Sequence, residues 1–335
     1  MIMAQSGPSR RSLRELPKAH LHLHLVGSMR PETLSELGHE AGILVDLPDG
    51  FDGFRDFYET YALANRTIRS ADHLDRLIFE VLQDASSDGA VWVEPTLYLD
   101  SFTEVIGPGE LVLEIVTDSL RKARSEIGIG ARLIVSADRD LGPADAVRQA
   151  RLAVRGDPDV VGAFGLVNDE MAHPVEDFVE ALAITSGAGL ALTPHSGEFG
   201  GPDHVAAALG LGAARIQHGI AAAADTRVMR RLAESRVCLD VCPTSNVAVG
   251  AVKSLEEHPL PVLVENGVEV SINADDSLLF GCSLLSEYEL ARDAFGLSDR
   301  RIAAIAEASI LHSTADGSLK AAAAAAVGKW FAPIG

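Results

Sequence analysis

Short apolar segments with strand character alternate with helix-forming segments along almost the whole chain. The first strand lies in the stretch 17–27, and seven more follow at 91–98, 131–137, 160–166, 190–195, 215–218, 237–242 and 268–273. Near-continuous apolar strands separated by helices are typical of a parallel sheet covered by helices, so the pattern indicates an α/β fold. Eight units favour a closed (β/α)8 TIM-type barrel over an open sheet, and a length of 335 residues suits such a barrel.

Helices are predicted after most strands, at 109–126, 143–155, 175–187, 202–212, 225–235, 259–266 and 283–295. Extra helices are expected after the first strand, at about 31–41, 54–66 and 71–88, and at the C-terminal end, at 298–311 and 317–330. No linker interrupts this order, so we predict one domain over 1–335, with residues 1–14 flexible. The insertion 46–88, a loop rich in Asp, Pro and Gly followed by helices, is the natural candidate for a lid.

The overall charge and the cysteine content restrict the classes of partner. A formal net charge of -20 repels phosphate backbones and anionic membrane surfaces, so we expect neither nucleic acid nor membranes as partners. Residues 1–14 contain arginines without a following apolar run, which is unlike a signal peptide or an anchor. An odd cysteine count (Cys238, Cys242 and Cys282) favours packing roles and a reducing, cytoplasmic setting. The oligomeric state is left open.

Three histidines, His20, His22 and His24, occupy every second position of the first strand. Alternation places their imidazoles on one face, where His22 and His24 can reach a single ion. Imidazole nitrogen suits zinc. A solvated face of an edge strand is the alternative explanation.

Polar residues also follow several of the later strands. In a barrel the carboxyl ends of the strands meet at one mouth, which is where reactive groups gather. Taken singly, each residue has an ordinary structural explanation, such as a hydrogen-bonded core histidine or a turn. Together they converge on the mouth; they are Asn168 after the fourth strand, His195 and Glu198 after the fifth, His218 after the sixth, and Asp275 and Asp276 after the eighth.

Four of these residues form a plausible zinc-ligand set with three nitrogens and one oxygen, namely His22, His24, His195 and Asp275. Three or four protein ligands leave room for a water, whose pKa zinc lowers to about 7. His218 or Asp275 can take the proton of that water. Glu198 can face the same pocket, and a carboxyl group kept protonated there can act as a general acid.

Five short motifs in this order resemble those of the adenosine deaminase family of the amidohydrolase superfamily, over a span from Pro17 to about Glu289. The resemblance implies an α/β barrel, one catalytic zinc per subunit and hydrolytic loss of ammonia from a small-molecule 6-aminopurine. The motifs are His22-Leu23-His24, His195-Ser196-Gly197-Glu198, Ile216-Gln217-His218-Gly219, Cys242-Pro243-Thr244-Ser245-Asn246 and Ser271-Ile272-Asn273-Ala274-Asp275-Asp276.

The resemblance also implies a role for each matched residue. His22, His24, His195 and Asp275 correspond to zinc ligands. Glu198 corresponds to the acid that protonates purine N1, and His218 to the group that orients and helps to deprotonate the attacking water. Asp276 corresponds to the residue that hydrogen-bonds purine N7.

The chain departs from the family pattern at substrate contacts. Val26 stands where nucleoside-specific members have an Asp that accepts the ribose 5′-hydroxyl, and an unpaired buried hydroxyl costs about 1–3 kcal/mol. Asn168 stands where a glycine amide meets purine N3, so its side chain should reshape the pocket. His20 stands where an acidic residue is usual, and we expect a structural role for it. These changes favour retained chemistry with an altered leaving-group context or altered sugar specificity.

Several functions remain open on the sequence. Adenosine or deoxyadenosine is the default substrate; a 5′-modified adenosine such as aminodeoxyfutalosine, and adenine or an N6-substituted adenine, are the alternatives. A hydrolase of amides or esters in the same fold is disfavoured. Such sites usually need a second metal and a bridging lysine, and no lysine lies at the end of any predicted strand. A non-catalytic barrel that binds ligands is the alternative of another class, although no expected ligand residue is missing.

Overall fold

The computed structural model describes residues 11–48 and 50–332, and its strands are short and mostly buried. Their bounds are β1 (Lys18–His24), β2 (Ala90–Leu97), β3 (Gly130–Ala131), β4 (Leu133–Asp138), β5 (Val161–Val167), β6 (Ala191–Leu192), β7 (His195–Ser196), β8 (Arg215–His218), β9 (Cys238–Val241) and β10 (Val270–Ile272). Every pairing among these strands is parallel, as expected when each connection crosses over through a helix.

Helices cover the outside of the sheet and fill the insertion after β1. Their bounds are α1 (Pro31–Ala41), α2 (Phe54–Asn65), α3 (Ala71–Ser87), α4 (Gly109–Ile127), α5 (Gly142–Ala153), α6 (Val179–Gly187), α7 (Pro202–Gly210), α8 (Thr226–Ser235), α9 (Pro243–Ala248), α10 (Leu260–Glu265), α11 (Ser277–Phe280), α12 (Leu284–Asp293), α13 (Asp299–Leu311) and α14 (Gly317–Phe331). Short helices α9 and α11, which directly follow β9 and β10, were not predicted.

The strands close into a barrel through two seams. One run pairs in the order β1-β2-β4-β5-β6, with β3 beside β2, and the other in the order β10-β9-β8-β7. At the first seam, the N–H of His24 donates to the carbonyl of Asp275 and the N–H of Asp275 donates to that of His22, each over 3.1 Å. The predicted α/β barrel, with extra helices after the first strand and at the C-terminal end, is confirmed.

The second seam runs through a strand that proline interrupts. The predicted strand 190–195 is present as two pieces, β6 and β7, because Pro194 has no N–H to donate to a neighbour. Hydrogen bonds nevertheless continue across the break: the N–H of Thr193 donates to the carbonyl of Phe164 over 2.9 Å, and that of Gln217 to the carbonyl of Pro194 over 3.0 Å. The interruption therefore leaves the barrel closed at the point where His195 enters the mouth.

His20 does not share its surroundings with the other two histidines, contrary to the expectation from strict alternation. The pairing of β1 with β2 shifts register between His20 and Leu23. At the shift, the side chain of Asn273 accepts the N–H groups of Leu21 and His22 over 2.7 and 3.1 Å. His20 is turned away and its Nε2 accepts the N–H of Ala274 over 3.1 Å.

A buried ion network fills the barrel below the mouth. The fully buried Arg215 guanidinium contacts the carboxylates of Glu94 and Asp240 over 2.6 and 2.9 Å. The remaining oxygens of those carboxylates accept hydrogen bonds from Trp92 Nε1 and Ser271 Oγ. One guanidinium thus serves two carboxylates, whose other oxygens are satisfied by neutral donors, and the network holds β9 next to the site, where the Asp240 carbonyl contacts His22.

The start of the described chain is packed, which corrects part of the expectation that residues 1–14 are flexible. The Arg11 guanidinium donates to the carbonyls of Trp330 and Ala332, and Leu13 is 4% exposed. Residues 1–10 lie outside the described residues. All three cysteines are free, two of them buried. Across 11–48 and 50–332, no helix is both long and apolar enough to cross a membrane.

Candidate active site

Four predicted residues meet at the mouth of the barrel with their donor atoms facing one another. His22 Nε2 lies 3.2 Å from His195 Nε2 and 3.2 Å from Asp275 Oδ1, and His24 Nε2 lies 3.2 Å from the same oxygen. One potential ligand atom from each of the four residues lies within 4.8 Å of the others. Ligands of a tetrahedral zinc ion are about 3.3 Å apart, since each bond is about 2.0–2.1 Å long. The residues can therefore hold a metal ion.

The hydrogen bonds behind the rings determine which nitrogens carry protons. His22 Nδ1 is 3.1 Å from the carbonyl of Asp240, and His195 Nδ1 is 2.8 Å from the carbonyl of Leu166. Because a carbonyl only accepts, both Nδ1 atoms carry the proton and both Nε2 atoms present lone pairs to the cluster. These lone pairs facing a carboxylate oxygen repel one another unless a cation lies between them. Support of this kind behind the ligands is usual in metal sites.

Asp275 is oriented by contacts on both of its oxygens. Ser245 Oγ donates to Oδ2 over 2.6 Å, while the buried Oδ1 has no hydrogen-bond donor among the described residues. Burial by itself favours the neutral form, but when no metal is bound the proton of the cluster resides on the imidazoles of His22 and His24, which hold the pKa of this carboxyl well below its usual value. The group is therefore a carboxylate with one oxygen free for a cation.

Glu198 lies beside this cluster as an acid that retains its proton. Its side chain is 10% exposed, and its Oε2 lies 3.5 Å from His218 Nε2. Burial, followed by the negative charges of Asp275 and Glu170, raises the pKa of Glu198 well above its usual value. A protonated carboxyl group in a pocket next to a metal-binding cluster can donate a proton to a bound ligand.

Glu170 shapes the loop that carries Glu198, a role that the sequence did not reveal. Its carboxylate accepts the N–H groups of four consecutive residues, Gly197 to Gly200, and contacts His204 Nδ1 over 2.9 Å. Burial favours the neutral form, but these backbone donors keep the pKa of Glu170 below its usual value. The only available signal was an acidic residue shortly after the fourth strand, preceding a loop rich in glycine.

Asp276 borders the pocket and depends on a glycine in the first loop. It is 1% exposed, and its Oδ1 has no hydrogen-bond partner among the described residues. A Cβ at Gly27 would lie 1.6 Å from that oxygen, so only glycine allows the carboxyl to occupy this place. Burial raises the pKa of Asp276 well above its usual value, with the charge of Asp275 adding to the effect. The protonated group is free to hydrogen-bond a ligand.

Three residues at the mouth adopt left-handed backbone conformations that side chains usually avoid. The φ angles are 69° at Asn168, 61° at His218 and 59° at Asp275. Asparagine, aspartate and histidine tolerate this region better than other side chains, but the conformation still costs energy, and such residues cluster at functional sites. Each residue lies at the end of a strand or shortly after it, where the alternation of residues in a strand no longer predicts the direction of the side chain.

One wall of the pocket comes from α2, within the predicted lid segment. Phe54, Phe57, Tyr58 and Tyr61 line the pocket, and Phe57 stacks on Phe280 with ring centroids 5.1 Å apart. Asn168 also lines the pocket, and its side chain hydrogen-bonds with Tyr58 and Asp138.

Val26 does not line this pocket, contrary to our expectation of a substrate contact. Its side chain is 1% exposed and packs in the hydrophobic core. It lies in the 3-10 turn Val26–Ser28, where an apolar side chain turns inward while Gly27 faces Asp276. The remaining predicted residues, His22, His24, Asn168, His195, Glu198, His218, Asp275 and Asp276, are brought together at the mouth.

Comparison with known proteins gives consistent matches over nearly the full chain. A family model described as adenosine deaminase matches residues 17–330. A putative adenosine/adenine deaminase of Streptomyces virginiae is 39% identical and aligns over 96% of this chain and 98% of its own length.

Two solved structures have closely similar folds. The adenine deaminase of Arthrobacter aurescens superposes with a TM-score of 0.87 at 28% identity, covering 94% of this chain and 98% of that one. A zinc-bound amidohydrolase from Burkholderia ambifaria superposes with a TM-score of 0.87 at 26% identity, covering 95% and 91%.

Proposed function

The chain belongs to the adenosine deaminase family of hydrolytic deaminases, and on this premise we propose that it uses zinc to remove ammonia from a 6-aminopurine. One observation carries the proposal: the buried carboxyl of Glu198, whose pKa burial raises, lies beside a cluster of imidazole nitrogens and the free Asp275 oxygen. A barrel that only binds ligands has no need of a buried acid next to a metal-binding cluster.

The metal would be held by His22, His24, His195 and Asp275. Two supported imidazoles and an unpaired carboxylate oxygen suit zinc, and a related amidohydrolase contains zinc. When bound, zinc supplies Lewis-acid activation of a water molecule at neutral pH.

The residues around the cluster act on the purine and on the attacking water. Glu198 donates its proton to N1 of the ring, which makes C6 electrophilic. Protonated Asp276 donates a hydrogen bond to N7 and fixes the plane of the base. His218, next to both Glu198 and Asp275, orients the water for attack on C6. These groups are held in place before the substrate arrives, so little reorganisation is needed during the reaction.

The principal candidate substrate is a 6-aminopurine nucleoside such as adenosine or deoxyadenosine. Free adenine is the second candidate, because aromatic rings form much of the pocket lining and because a similar structure is an adenine deaminase. A 5′-modified adenosine such as aminodeoxyfutalosine, and an N6-substituted adenine, complete the set of alternatives. We further propose that the whole chain acts as one catalytic domain in the cytoplasm.

The test is ammonia release by the zinc-loaded protein, followed by the ultraviolet change of the purine. Adenosine, deoxyadenosine, a 5′-modified adenosine, adenine and an N6-alkyl adenine are compared by kcat/KM. We expect Glu198→Gln to lower kcat by about 100-fold or more while zinc content stays unchanged. Glu176→Gln, which alters an exposed carboxylate, is the matched control. A protein that binds one zinc per chain but deaminates none of these compounds would contradict the proposal.

A further inference from the structure

We propose that His258 and Asn246 are positioning residues that fix the tautomer of His218, so that its Nε2 carries a proton toward the reacting groups. Neither residue lines the pocket, and both are buried. The catalytic consequence rests on the proposed deaminase function, whereas the arrangement of protons is a property of the protein that can be measured separately.

The direction of the hydrogen bonds is set at the start of α10. The backbone N–H of Leu260 donates to His258 Nδ1 over 3.1 Å. A backbone N–H can only donate, so Nδ1 is an acceptor and the ring proton lies on Nε2. Burial lowers the pKa of His258 to about 4, which keeps the ring neutral at neutral pH. His258 also packs against Phe295, with ring centroids 5.4 Å apart.

The orientation of the Asn246 amide follows from that proton. His258 Nε2 is 3.3 Å from Asn246 Oδ1, and because the nitrogen is a donor, the amide must present its oxygen there. The NH2 group is then directed to His218 Nδ1, 3.0 Å away, and to Glu198 Oε1, 3.4 Å away. The backbone of Asn246 is also held, since its N–H donates to Cys242 and its carbonyl accepts from Val252. The amide therefore cannot turn over without breaking three contacts.

The relay ends at His218, whose two nitrogens thereby take different roles. Nδ1 accepts from Asn246, so the proton of the neutral ring lies on Nε2. That N–H faces Glu198 Oε2 at 3.5 Å and Asp275 Oδ2 at 3.9 Å. In this tautomer His218 donates a hydrogen bond to the reacting groups and has no lone pair with which to accept a proton from water.

This assignment separates the two options that the sequence left open for the proton of the attacking water. His218 Nε2 already carries a proton, while the Asp275 carboxylate retains lone pairs at the same place. The water O–H therefore gives its proton to Asp275, and His218 orients the water by donating from Nε2. Serine proteases illustrate the importance of such control, because a histidine held in the wrong tautomer lowers kcat by about 10,000-fold.

Three variants test the relay. His258→Phe removes the donor to Asn246 while retaining a ring against Phe295. His258→Gln restores an N–H donor without the ring. Asn246→Asp replaces the amide donor with a second acceptor and therefore requires the proton of His218 to move to Nδ1. Glu257→Gln, an exposed neighbour in the same turn, is the matched control.

The first measurement is the tautomer itself, read from 15N chemical shifts of zinc-loaded protein labelled at histidine. The His218 signals are assigned by their loss in His218→Gln. We expect a proton on Nε2 of His218 in the wild-type protein, in His258→Gln and in Glu257→Gln, a loss of that preference in His258→Phe, and a proton on Nδ1 in Asn246→Asp. This readout does not depend on activity and would not change if the residues only stabilised the fold.

The second measurement is steady-state deamination with zinc content and melting temperature recorded for each variant. We expect kcat to fall at least tenfold in His258→Phe, and further in Asn246→Asp, with KM changed less than about threefold. His258→Gln should recover most of the lost kcat. Unchanged kcat in His258→Phe, or an active Asn246→Asp with its His218 proton on Nδ1, would overturn the proposal. A wild-type protein that deaminates no aminopurine would contradict the proposed function, while the tautomers would still decide the relay.

Discussion

Replacing Glu170 by glutamine should weaken both the fold and the active site, because this one carboxylate organises the loop that carries Glu198. Its Oε2 accepts the N–H groups of Glu198, Phe199 and Gly200 over 2.9, 3.1 and 3.2 Å. Its Oε1 accepts the N–H of Gly197 and contacts His204. The side chain is 2% exposed, so water cannot take over these contacts.

The magnitude follows from the number of donors. Glutamine offers one oxygen, and its NH2 group must then face either three backbone N–H groups or the Gly197 side of the loop. Hydrogen bonds to a charged acceptor contribute about 1.5–3 kcal/mol each, and a buried donor left unpaired adds a cost of its own. We expect Glu170→Gln to lower the free energy of unfolding by about 3–5 kcal/mol. A loop displaced by about 1 Å would lower kcat by about 100-fold.

The assay is urea unfolding of the Glu170→Gln and wild-type proteins at several pH values, combined with kcat at neutral pH. The backbone donors lower the pKa of Glu170, so its stabilisation is present above the unfolded pKa of about 4.3 and is lost as pH falls through the folded value. The difference in free energy of unfolding between the wild-type protein and Glu170→Gln should therefore become smaller below about pH 4, and Glu176→Gln is the control. A gap under 1 kcal/mol at pH 7, or one that does not narrow in acid, would refute this reasoning.

Three further predictions follow from the site and its surroundings. Removing zinc with a chelator should abolish deamination and lower the melting temperature, and added zinc rather than magnesium should restore both; retained activity in metal-free protein would contradict the ligand assignment. Burial raises the pKa of Glu287 to about 7. The free energy of unfolding of the wild-type protein should therefore fall relative to that of Glu287→Gln, by up to roughly 3 kcal/mol, as pH rises from 5 to 8. If urea unfolding gives the same difference between the two proteins at every pH, this prediction is wrong. Tyr58→Phe removes the hydroxyl that hydrogen-bonds with Asn168 and should raise KM about fivefold at unchanged kcat. An unchanged KM would show that Asn168 makes no contact with the substrate.

The parts of the site that could be predicted are those fixed by strand order. Once eight strands alternate with helices, every strand must end at the same mouth, so His195, His218 and Asp275 had to approach one another. The extra helices could also be predicted, because helical periodicity and proline positions mark them locally.

What the sequence did not reveal depends on contacts between distant segments. The register shift in β1 is held by Asn273, and no local pattern indicates that its side chain takes the place of a strand partner. Val26 turns inward next to Gly27, where Asp276 occupies the space that a side chain at position 27 would need. Glu170 bonds a loop about 30 residues further along the chain, and His258 bonds Asn246 across the turn that follows α9, so no local pattern marked either residue.

The first seam of the barrel has a consequence for biosynthesis. Leu21 and Asn273 are 252 residues apart in the chain, yet their hydrogen bond joins the first strand to the segment after the last. About four-fifths of the chain is synthesised before this partner emerges from the ribosome, so one edge of β1 has no hydrogen-bond partner during most of translation. His22 and His24 are synthesised early, whereas Asp275 is synthesised late. Full-affinity zinc uptake thus becomes possible only when synthesis is nearly complete, and chains truncated before that point should be recognisable as metal-poor, aggregation-prone products.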